Sequence, residues 1–278
     1  MAAKEKAGNV IVETVKTVVY ALLIAGVFRT LLFQPFWIPS GSMKETLLIG
    51  DFLFVNKFAY GYSYASCPSV MLPRFGISVD AKDLCGVFDG DNKRLFAGEP
   101  ERGDVVVFRH PVSGRDYIKR LVGLPGDQIQ VTDGVVFING TEAPQKSDGQ
   151  FEEVMEPQGP QRSRPRCENG PVGNGGMCVK SRSIETFPDG KSHAVLNIGT
   201  QASDRTGVYS VPEGHYFFMG DNRDNSADSR LAQQAGGVGF VPFENLIGRA
   251  DRVVFSSAGS SMLFFWTWRG DRFFKGIE

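Results

Sequence analysis

Short runs of β-branched and aromatic residues, separated by turn residues, dominate the hydrophobic pattern beyond the first 40 positions. Helical periodicity is scarce in this part of the chain. Runs of four or five such residues bounded by Gly, Pro, Asn or Asp are typical of β-strands. The pattern therefore predicts a mainly β, antiparallel fold, with strands at Phe52–Val55, Val105–Phe108, Ile129–Val131, Val135–Ile138 and Tyr216–Met219.

One hairpin can be located from its turn. Asp133-Gly134 separates two of these runs, and Asn139-Gly140 ends the second. Asp-Gly is a favoured two-residue turn because both positions accept a positive φ. We expect a hairpin over Gln128–Gly140.

The N-terminal region carries a different pattern. Basic residues precede the uncharged stretch Thr17–Phe28, and only Arg29 interrupts the uncharged sequence that follows. A helix of about 20 apolar residues spans a bilayer, so we expect one transmembrane anchor over residues 10–33, with Arg29 extending to the outer interface. A cleavable signal peptide and a buried amphipathic helix are the alternatives. No clear small-x-small site follows the run, and Val18–Phe28 is apolar all round.

Charge and cysteines both bear on topology. Lysines before the anchor predict that residues 1–9 are cytoplasmic and that the bulk of the chain lies outside. The four cysteines form two pairs that are close in sequence, Cys67 with Cys85 and Cys167 with Cys178. We interpret them as disulfides formed in an oxidising compartment. Free buried cysteines and zinc ligands are the alternatives, although no CxxC motif occurs.

The remaining regions divide the chain into a core and insertions. We expect a β core over residues 34–140 and 212–255, with an insertion at 60–100 and a large, loop-rich inserted β subdomain at 141–211. Residues 256–278 form an aromatic and basic C-terminal segment that is too short to span a bilayer. It is expected either to touch the membrane interface or to pack on the sheet. The 30 basic and 31 acidic residues nearly cancel, which gives no electrostatic argument for a nucleic-acid partner.

Three polar motifs are candidates for chemistry. Pro39–Met43, sequence PSGSM, presents two hydroxyls directly after the anchor, and Gly220–Arg230 reads GDNRDNSADSR. Between them, Lys119 lies between Ile118 and Leu121 in a segment that otherwise reads as a buried strand. A strand lysine is usually solvated. A lysine desolvated by apolar neighbours instead loses affinity for its proton and can act as a base.

The three motifs, in this order, resemble bacterial signal peptidase I. Gly50–Lys57, sequence GDFLFVNK, and Tyr117–Asp127 add to the likeness, which covers roughly residues 38–57, 102–140 and 214–249. One departure is Glu45, which stands where the family usually has proline before Thr46-Leu47. The resemblance implies a membrane-bound serine endopeptidase that cleaves signal peptides after small-x-small sites.

The resemblance also implies roles for individual residues. Ser42 is then the nucleophile and Lys119 the general base, and the oxyanion hole is formed by the Ser42 backbone N–H and the Ser40 hydroxyl. The implied supporting residues are Ser226, which orients the lysine, and the Asp228 and Arg230 ion pair. The implied lining of small apolar substrate pockets is Ile38, Met43, Leu47 and Ile118.

The implied partners are the signal peptides of exported preproteins and membrane lipid, with proximity to the secretion translocon. No metal or organic cofactor is implied. The expected location is the bacterial inner membrane, with a single pass and the catalytic domain on the periplasmic side.

Three other functions remain as alternatives. A Ser-His-Asp hydrolase could use His110 or His215, although no G-x-S-x-G motif occurs. A self-cleaving Ser-Lys repressor shares the chemistry but needs a DNA-binding segment. A non-catalytic, membrane-tethered β protein would make Ser42 and Lys119 incidental.

Overall fold

The structure, a computed structural model, describes residues 12–24, 33–67, 70–72, 77–79, 81–88, 94–159, 161–259 and 262–277. Strands are the main elements of this part of the chain. They are β1 (Phe33–Trp37), β2 (Asp51–Asn56), β3 (Val70–Leu72), β4 (Ile77–Val79), β5 (Val105–Arg109), β6 (Asp116–Gly123), β7 (Gln128–Thr132), β8 (Val135–Ile138), β9 (Thr141–Ala143), β10 (Gln145–Val154), β11 (Met177–Thr186), β12 (Ser192–Asn197), β13 (Tyr209–Ser210), β14 (His215–Met219), β15 (Phe240–Pro242), β16 (Leu246–Ser256) and β17 (Lys275–Gly276).

Apart from the N-terminal helical residues, the helices are short. Residues 12–24 are helical, and a further α-helix covers Ala81–Cys85. The 3-10 helices are Lys57–Ala59, Tyr64–Ser66, Gly86–Phe88, Ala202–Asp204, Arg223–Asn225, Gln233–Ala235, Phe243–Asn245, Phe265–Thr267 and Gly270–Arg272.

An eight-stranded antiparallel sheet organises the molecule. Its strand order is β1-β2-β16-β5-β6-β14-β15, and β17 pairs with β16. The predicted runs at Phe52–Val55, Val105–Phe108 and Tyr216–Met219 lie in β2, β5 and β14. The prediction of a mainly β, antiparallel fold is therefore confirmed.

The predicted hairpin is β7 and β8 of a second, four-stranded sheet with order β13-β7-β8-β9. Asp133 and Gly134 take φ values of 50° and 79° at its turn, as a two-residue turn of this kind requires. Apolar side chains of β7 and β8 pack against β6 and β14 in one buried cluster, which includes Ile129, Val136 and Phe217. This packing fixes the small sheet against the large one.

A third sheet, β10-β11-β12, lies within the segment predicted as an insertion. We call it the three-stranded sheet. Its edge strand β10 is mostly exposed, whereas β11 buries Cys178, Lys180 and Glu185. Two of these buried residues are charged, so their partners must lie close by.

Both disulfide predictions are confirmed. Cys67 bonds to Cys85 with a Cα–Cα distance of 6.4 Å. Cys167 bonds to Cys178 with a Cα–Cα distance of 5.1 Å. The first bond ties the helix Ala81–Cys85 to the residue that follows the 3-10 helix Tyr64–Ser66, and the second joins β11 to the loop that precedes it.

The predicted anchor falls only partly on described positions. Residues 12–24 are helical and exposed, and residues 10–11 and 25–32 lie outside the described ranges. Among the described helices, none combines the length and the apolar character needed to cross a membrane.

The C-terminal segment packs on the large sheet through one face and exposes the other. Trp268 and Phe273 pack against Phe255 of β16, with ring centroids 4.8 and 5.3 Å apart. Leu263 and Trp266 are 81% and 69% exposed. The segment therefore presents apolar side chains to its surroundings while remaining fixed to the core.

Candidate active site

Ser42 lies in the tight loop that joins β1 to β2. The loop is closed at its base by backbone hydrogen bonds, in which Ile38 N donates to Asp51 O (2.9 Å) and Gly50 N donates to Ile38 O (3.0 Å). Three apolar side chains anchor it from below, because Ile38, Met43 and Leu47 are each at most 1% exposed in one core cluster. A loop held at its base and from below gives Ser42 a fixed position.

Lys119 lies on β6, where Val106 of β5 is its cross-strand neighbour. Its Nζ donates to Ser42 Oγ at 2.7 Å and to Ile118 O at 2.9 Å. The lysine is 4% exposed and the serine 7%. The two residues that the sequence nominated, 77 positions apart, therefore form a direct and buried hydrogen bond.

Burial changes the acid–base behaviour of Lys119. Removing the ammonium group from water lowers the pKa of Lys119 from 10.5 to about 8, although the negative charges of Asp228 and Asp221 partly oppose the change. Desolvation favours the neutral amine because that form carries no charge. A neutral amine in contact with a hydroxyl can accept its proton.

Ser40 lies beside the nucleophile candidate. Its Oγ is 3.5 Å from Ser42 Oγ, and the residue is exposed. The residue is therefore accessible to solvent while its hydroxyl stays close to that of Ser42. Its assignment to an oxyanion hole remains a prediction.

The Gly220–Arg230 motif donates hydrogen bonds to the backbone of the loop that carries Ser42, which we call the serine loop. Asn222 N donates to Ser42 O at 3.0 Å, and Asn222 Nδ2 donates to Gly41 O at 2.8 Å. Gly220 makes this approach possible, because a Cβ at that position would lie 2.6 Å from Ser42 O. Sequence reasoning missed these two residues individually, although it had singled out the motif that contains them.

Asp228 and Arg230 form a buried ion pair behind this contact. Arg230 donates from Nε and Nη2 to the two Asp228 oxygens, each at 2.9 Å, and Gly220 N donates to Asp228 Oδ2 at 3.0 Å. Burial alone would raise the pKa of Asp228, but Arg230 holds it below its usual value. The pair thus stays charged and supports the loop that holds Ser42.

Ser226 is the remaining supporting residue. Its Oγ is buried and lies near enough to the Asp228 carboxylate to contribute to the lowered pKa of that group. The hydroxyl lies close behind the nucleophile loop, since a Cβ on Gly220 would be 2.6 Å both from Ser226 Cβ and from Ser42 O. Its role in orienting Lys119 stays a prediction.

Arg120 and Asp221 form a second buried pair that the sequence did not reveal. Arg120 Nε and Nη2 each donate to Asp221 at 2.8 Å, and Thr46 Oγ1 donates to Asp221 Oδ2 at 2.6 Å. Burial opposes ionisation of Asp221, yet Arg120 lowers the pKa of the carboxyl. The strand of Lys119, the Gly220–Arg230 motif and the serine loop are therefore joined through a single carboxylate.

The four predicted pocket residues occupy two environments. Ile38, Met43 and Leu47 are core residues beneath the loop, and Ile118 is partly exposed beside Lys119. Only Ile118 reaches the surface, so any pocket here has a floor of tightly packed side chains. Substrate contact by these residues stays a prediction.

The two histidines of the alternative mechanism have other partners. His110 is buried, with its Nε2 paired to Gly237 O at 2.9 Å and its Nδ1 accepting from Ser113 N at 3.1 Å. His215 Nδ1 pairs with Glu213 O at 2.9 Å. Within the described ranges, no three His, Cys, Asp or Glu side chains are grouped to hold a metal. The chemistry that the site offers is that of a serine activated by a lysine.

Comparison with known proteins identifies the family of the chain. A family model described as "Signal peptidase, peptidase S26" matches residues 11–255. Signal peptidase I of Rickettsia typhi is 40% identical over 247 residues, which cover 86% of this chain and 78% of the relative. Signal peptidase I of Rickettsia prowazekii is 39% identical over the same shares. The chain is a peptidase, and it belongs to the signal peptidase family, peptidase S26.

Proposed function

We propose that this chain is a membrane-bound serine endopeptidase that removes N-terminal signal peptides from exported preproteins, with Ser42 as nucleophile and Lys119 as general base. The observation that carries the proposal is the buried 2.7 Å hydrogen bond between Lys119 Nζ and Ser42 Oγ. Family membership supports the substrate class, since curated relatives with 39–40% identity carry the name signal peptidase I.

The reaction begins when neutral Lys119 accepts the Ser42 hydroxyl proton as Oγ attacks the scissile carbonyl. Negative charge develops on the carbonyl oxygen, where the Ser42 N–H and the Ser40 hydroxyl donate to it. The lysine then returns the proton to the leaving amine, which frees the mature protein and leaves the signal peptide esterified to Ser42. Water, deprotonated by the same lysine, hydrolyses the ester and restores the serine.

The backbone of β6 offers a binding edge for an extended peptide. Its residues Arg120–Gly123 pair with β14, whereas Asp116–Lys119 pair with β5 alone among the described strands. A peptide lying beside Asp116–Lys119 can therefore add a strand and bring its carbonyl to Ser42. Ile118 packs on the buried side chains of Ile38, Met43 and Leu47, which would form the floor of the apolar pockets proposed for the small residues of a small-x-small site.

Membrane attachment belongs to the same proposal. The N-terminal anchor places residues 1–9 in the cytoplasm and the catalytic domain on the periplasmic side of the bacterial inner membrane, close to the secretion translocon. Two disulfides support an oxidising compartment. The exposed apolar face of the C-terminal segment, with Leu263 and Trp266, supports contact with membrane lipid.

The test is cleavage of an Ala-x-Ala signal-peptide substrate in detergent by the full chain. We expect wild type to cut after the second alanine, and Ser42→Ala and Lys119→Ala to lose about 10⁴-fold or more in kcat. Ser147→Ala and Lys146→Ala are matched controls, because both residues are exposed on β10. Each variant is first checked for a native melting curve.

The outcomes separate the alternatives. Loss in both site variants with normal controls supports the Ser/Lys mechanism. Normal cleavage by folded Lys119→Ala would remove the lysine from the base role. A folded wild type that cuts no signal peptide would favour a non-catalytic, membrane-tethered β protein.

A further inference from the structure

The segment that follows the nucleophile is held by charges from outside the large sheet. Lys44 lies two positions after Ser42 and is 3% exposed. Its side chain runs back along the loop, since a methyl group on Gly41 would lie 3.2 Å from Lys44 Cε. Lys44 thus packs against the residue between the two candidate oxyanion donors, Ser40 and the Ser42 N–H.

The ammonium group of Lys44 is bound by the three-stranded sheet and the chain that follows β10. Lys44 Nζ donates to Glu153 on β10 and to Gln158 Oε1 at 2.8 Å. Gln158 Nε2 donates in turn to Glu153 Oε2 at 2.8 Å. Glu153 and Lys44 are 109 residues apart in sequence, so this contact forms only when the tertiary structure is complete.

Glu153 serves two buried lysines at once. Lys180 of β11, with a side chain 1% exposed, also donates to it. Burial would raise the pKa of Glu153, but Lys44 and Lys180 hold it below its usual value. A charged carboxylate between two buried ammonium groups is a counter-charge that both share, and its loss removes that charge from both lysines.

The next residue of the loop is tied to the same sheet. Glu45 accepts from Arg182 Nε at 2.6 Å and from Arg182 Nη2 at 2.8 Å. Glu45 is the position where the sequence departs from the proline usual in the family, so the departure supplies a partner for β11. Lys44 and Glu45, which are successive in the loop, therefore each form an ion pair with a residue of the three-stranded sheet.

We propose that Glu153 is a positioning residue for catalysis, which acts through Lys44 to fix the Ser40–Ser42 segment against the three-stranded sheet. The loop is then held from two sides, by Asn222 on Gly41 O and Ser42 O and by Glu153 on Lys44. This inference rests on the proposed role of Ser42 as nucleophile. It gives the three-stranded sheet a part in the reaction, although none of its residues touches the Ser42–Lys119 pair.

The test is a double-mutant cycle on kcat with Glu153→Gln, Lys44→Met and the pair combined, using the Ala-x-Ala substrate. A misplaced nucleophile lowers kcat, and a displacement of about 1 Å typically costs about 100-fold. We expect each single variant to lose about 10- to 100-fold in kcat with KM changed by less than about threefold. The double variant should be no slower than the slower single variant, because both changes remove the same contact.

Lys180→Met is the matched control, because it removes the other partner of Glu153 and leaves the Lys44 contact in place. We expect it to lower the melting temperature with kcat near wild type. The proposal is overturned if folded Glu153→Gln or folded Lys44→Met keeps wild-type kcat, or if Lys180→Met lowers kcat as much as they do. Should Glu153→Gln fail to fold, the comparison of kcat between Lys44→Met and Lys180→Met decides the question. Wild type that cuts nothing refutes the proposed function instead, so the two failures are distinguishable.

Discussion

Raising the pH through the pKa of Lys119 should switch the peptidase on. The base is active only as the neutral amine, and burial lowers the pKa of Lys119 from 10.5 to about 8. Activity should therefore be low well below pH 8, rise tenfold per pH unit as pH 8 is approached, and level off above it.

The size of the effect follows from the same two values. With a pKa of about 8, roughly a tenth of the lysine is neutral at pH 7, whereas an ordinary lysine would be neutral in only about 0.03% of molecules. Burial therefore increases the population of active base about 300-fold at neutral pH. This gain is lost if Lys119 becomes exposed to water, which is why its 4% exposure matters to catalysis.

The assay is kcat/KM for an Ala-x-Ala substrate from pH 5.5 to 10 at constant ionic strength, because this parameter reports the pKa of the free enzyme. Melting curves over the same range exclude unfolding as the cause of any change, and Lys146→Ala should reproduce the wild-type profile. A kcat/KM profile that rises with a midpoint near pH 6.5 would indicate a histidine base and refute the reasoning. So would a profile that still rises tenfold per pH unit between pH 8 and 10, which is the behaviour of a solvated lysine with a pKa near 10.5.

Three substitutions give further tests. Lys119→Met should abolish cleavage yet stabilise the fold at pH 7 by up to about 3 kcal/mol, since a lysine pKa lowered on folding costs stability below pH 8. The difference in stability between variant and wild type should shrink as wild type gains stability between pH 8 and 10.5. A melting temperature of the variant at pH 7 equal to or below that of wild type would contradict this prediction. Ser40→Ala should reduce kcat by about 100- to 1,000-fold with little change in KM, and a loss below threefold would remove this hydroxyl from the oxyanion hole. Asn222→Ala leaves Gly41 O without its side-chain donor, so we expect about 1–3 kcal/mol of destabilisation, measured by melting. We also expect a lower kcat, measured by single-turnover cleavage. A variant that melts at the wild-type temperature would contradict this prediction.

The sequence was most informative where side chains alternate or where turns have a fixed chemistry. The β7–β8 hairpin could be located because Asp133-Gly134 suits a two-residue turn between two apolar runs. The three-stranded sheet could not be resolved into strands in advance. Its longest edge strand, β10, is solvated over most of its length and carries Gly149, so no alternation of apolar and polar residues marks it.

Local sequence also sets a limit on predicting the site. Lys119 could be singled out because it is a lysine within a segment that reads as a buried strand, and Ser42 because its motif, in order with the other two, resembles the family. Their surroundings depend on contacts between distant positions, such as Lys44 with Glu153, whose separation of 109 residues leaves no local sign. The burial of Met43 beneath the loop was likewise not readable from a loop sequence.

The pairing of Asp51 with Arg272 links the loop that carries Ser42 to the C-terminal segment. Asp51 is fully buried at the base of the nucleophile loop. Arg272 donates to both of its oxygens, at 3.0 and 2.6 Å, across 221 residues of chain, and also donates to Thr46 O at 3.0 Å. Folding this loop without Arg272 would bury the Asp51 carboxylate without this counter-charge. Docking of the 3-10 helix Gly270–Arg272 is therefore a condition for the folded conformation of the loop that carries Ser42, and a substitution at Arg272 would act on that loop from far along the chain.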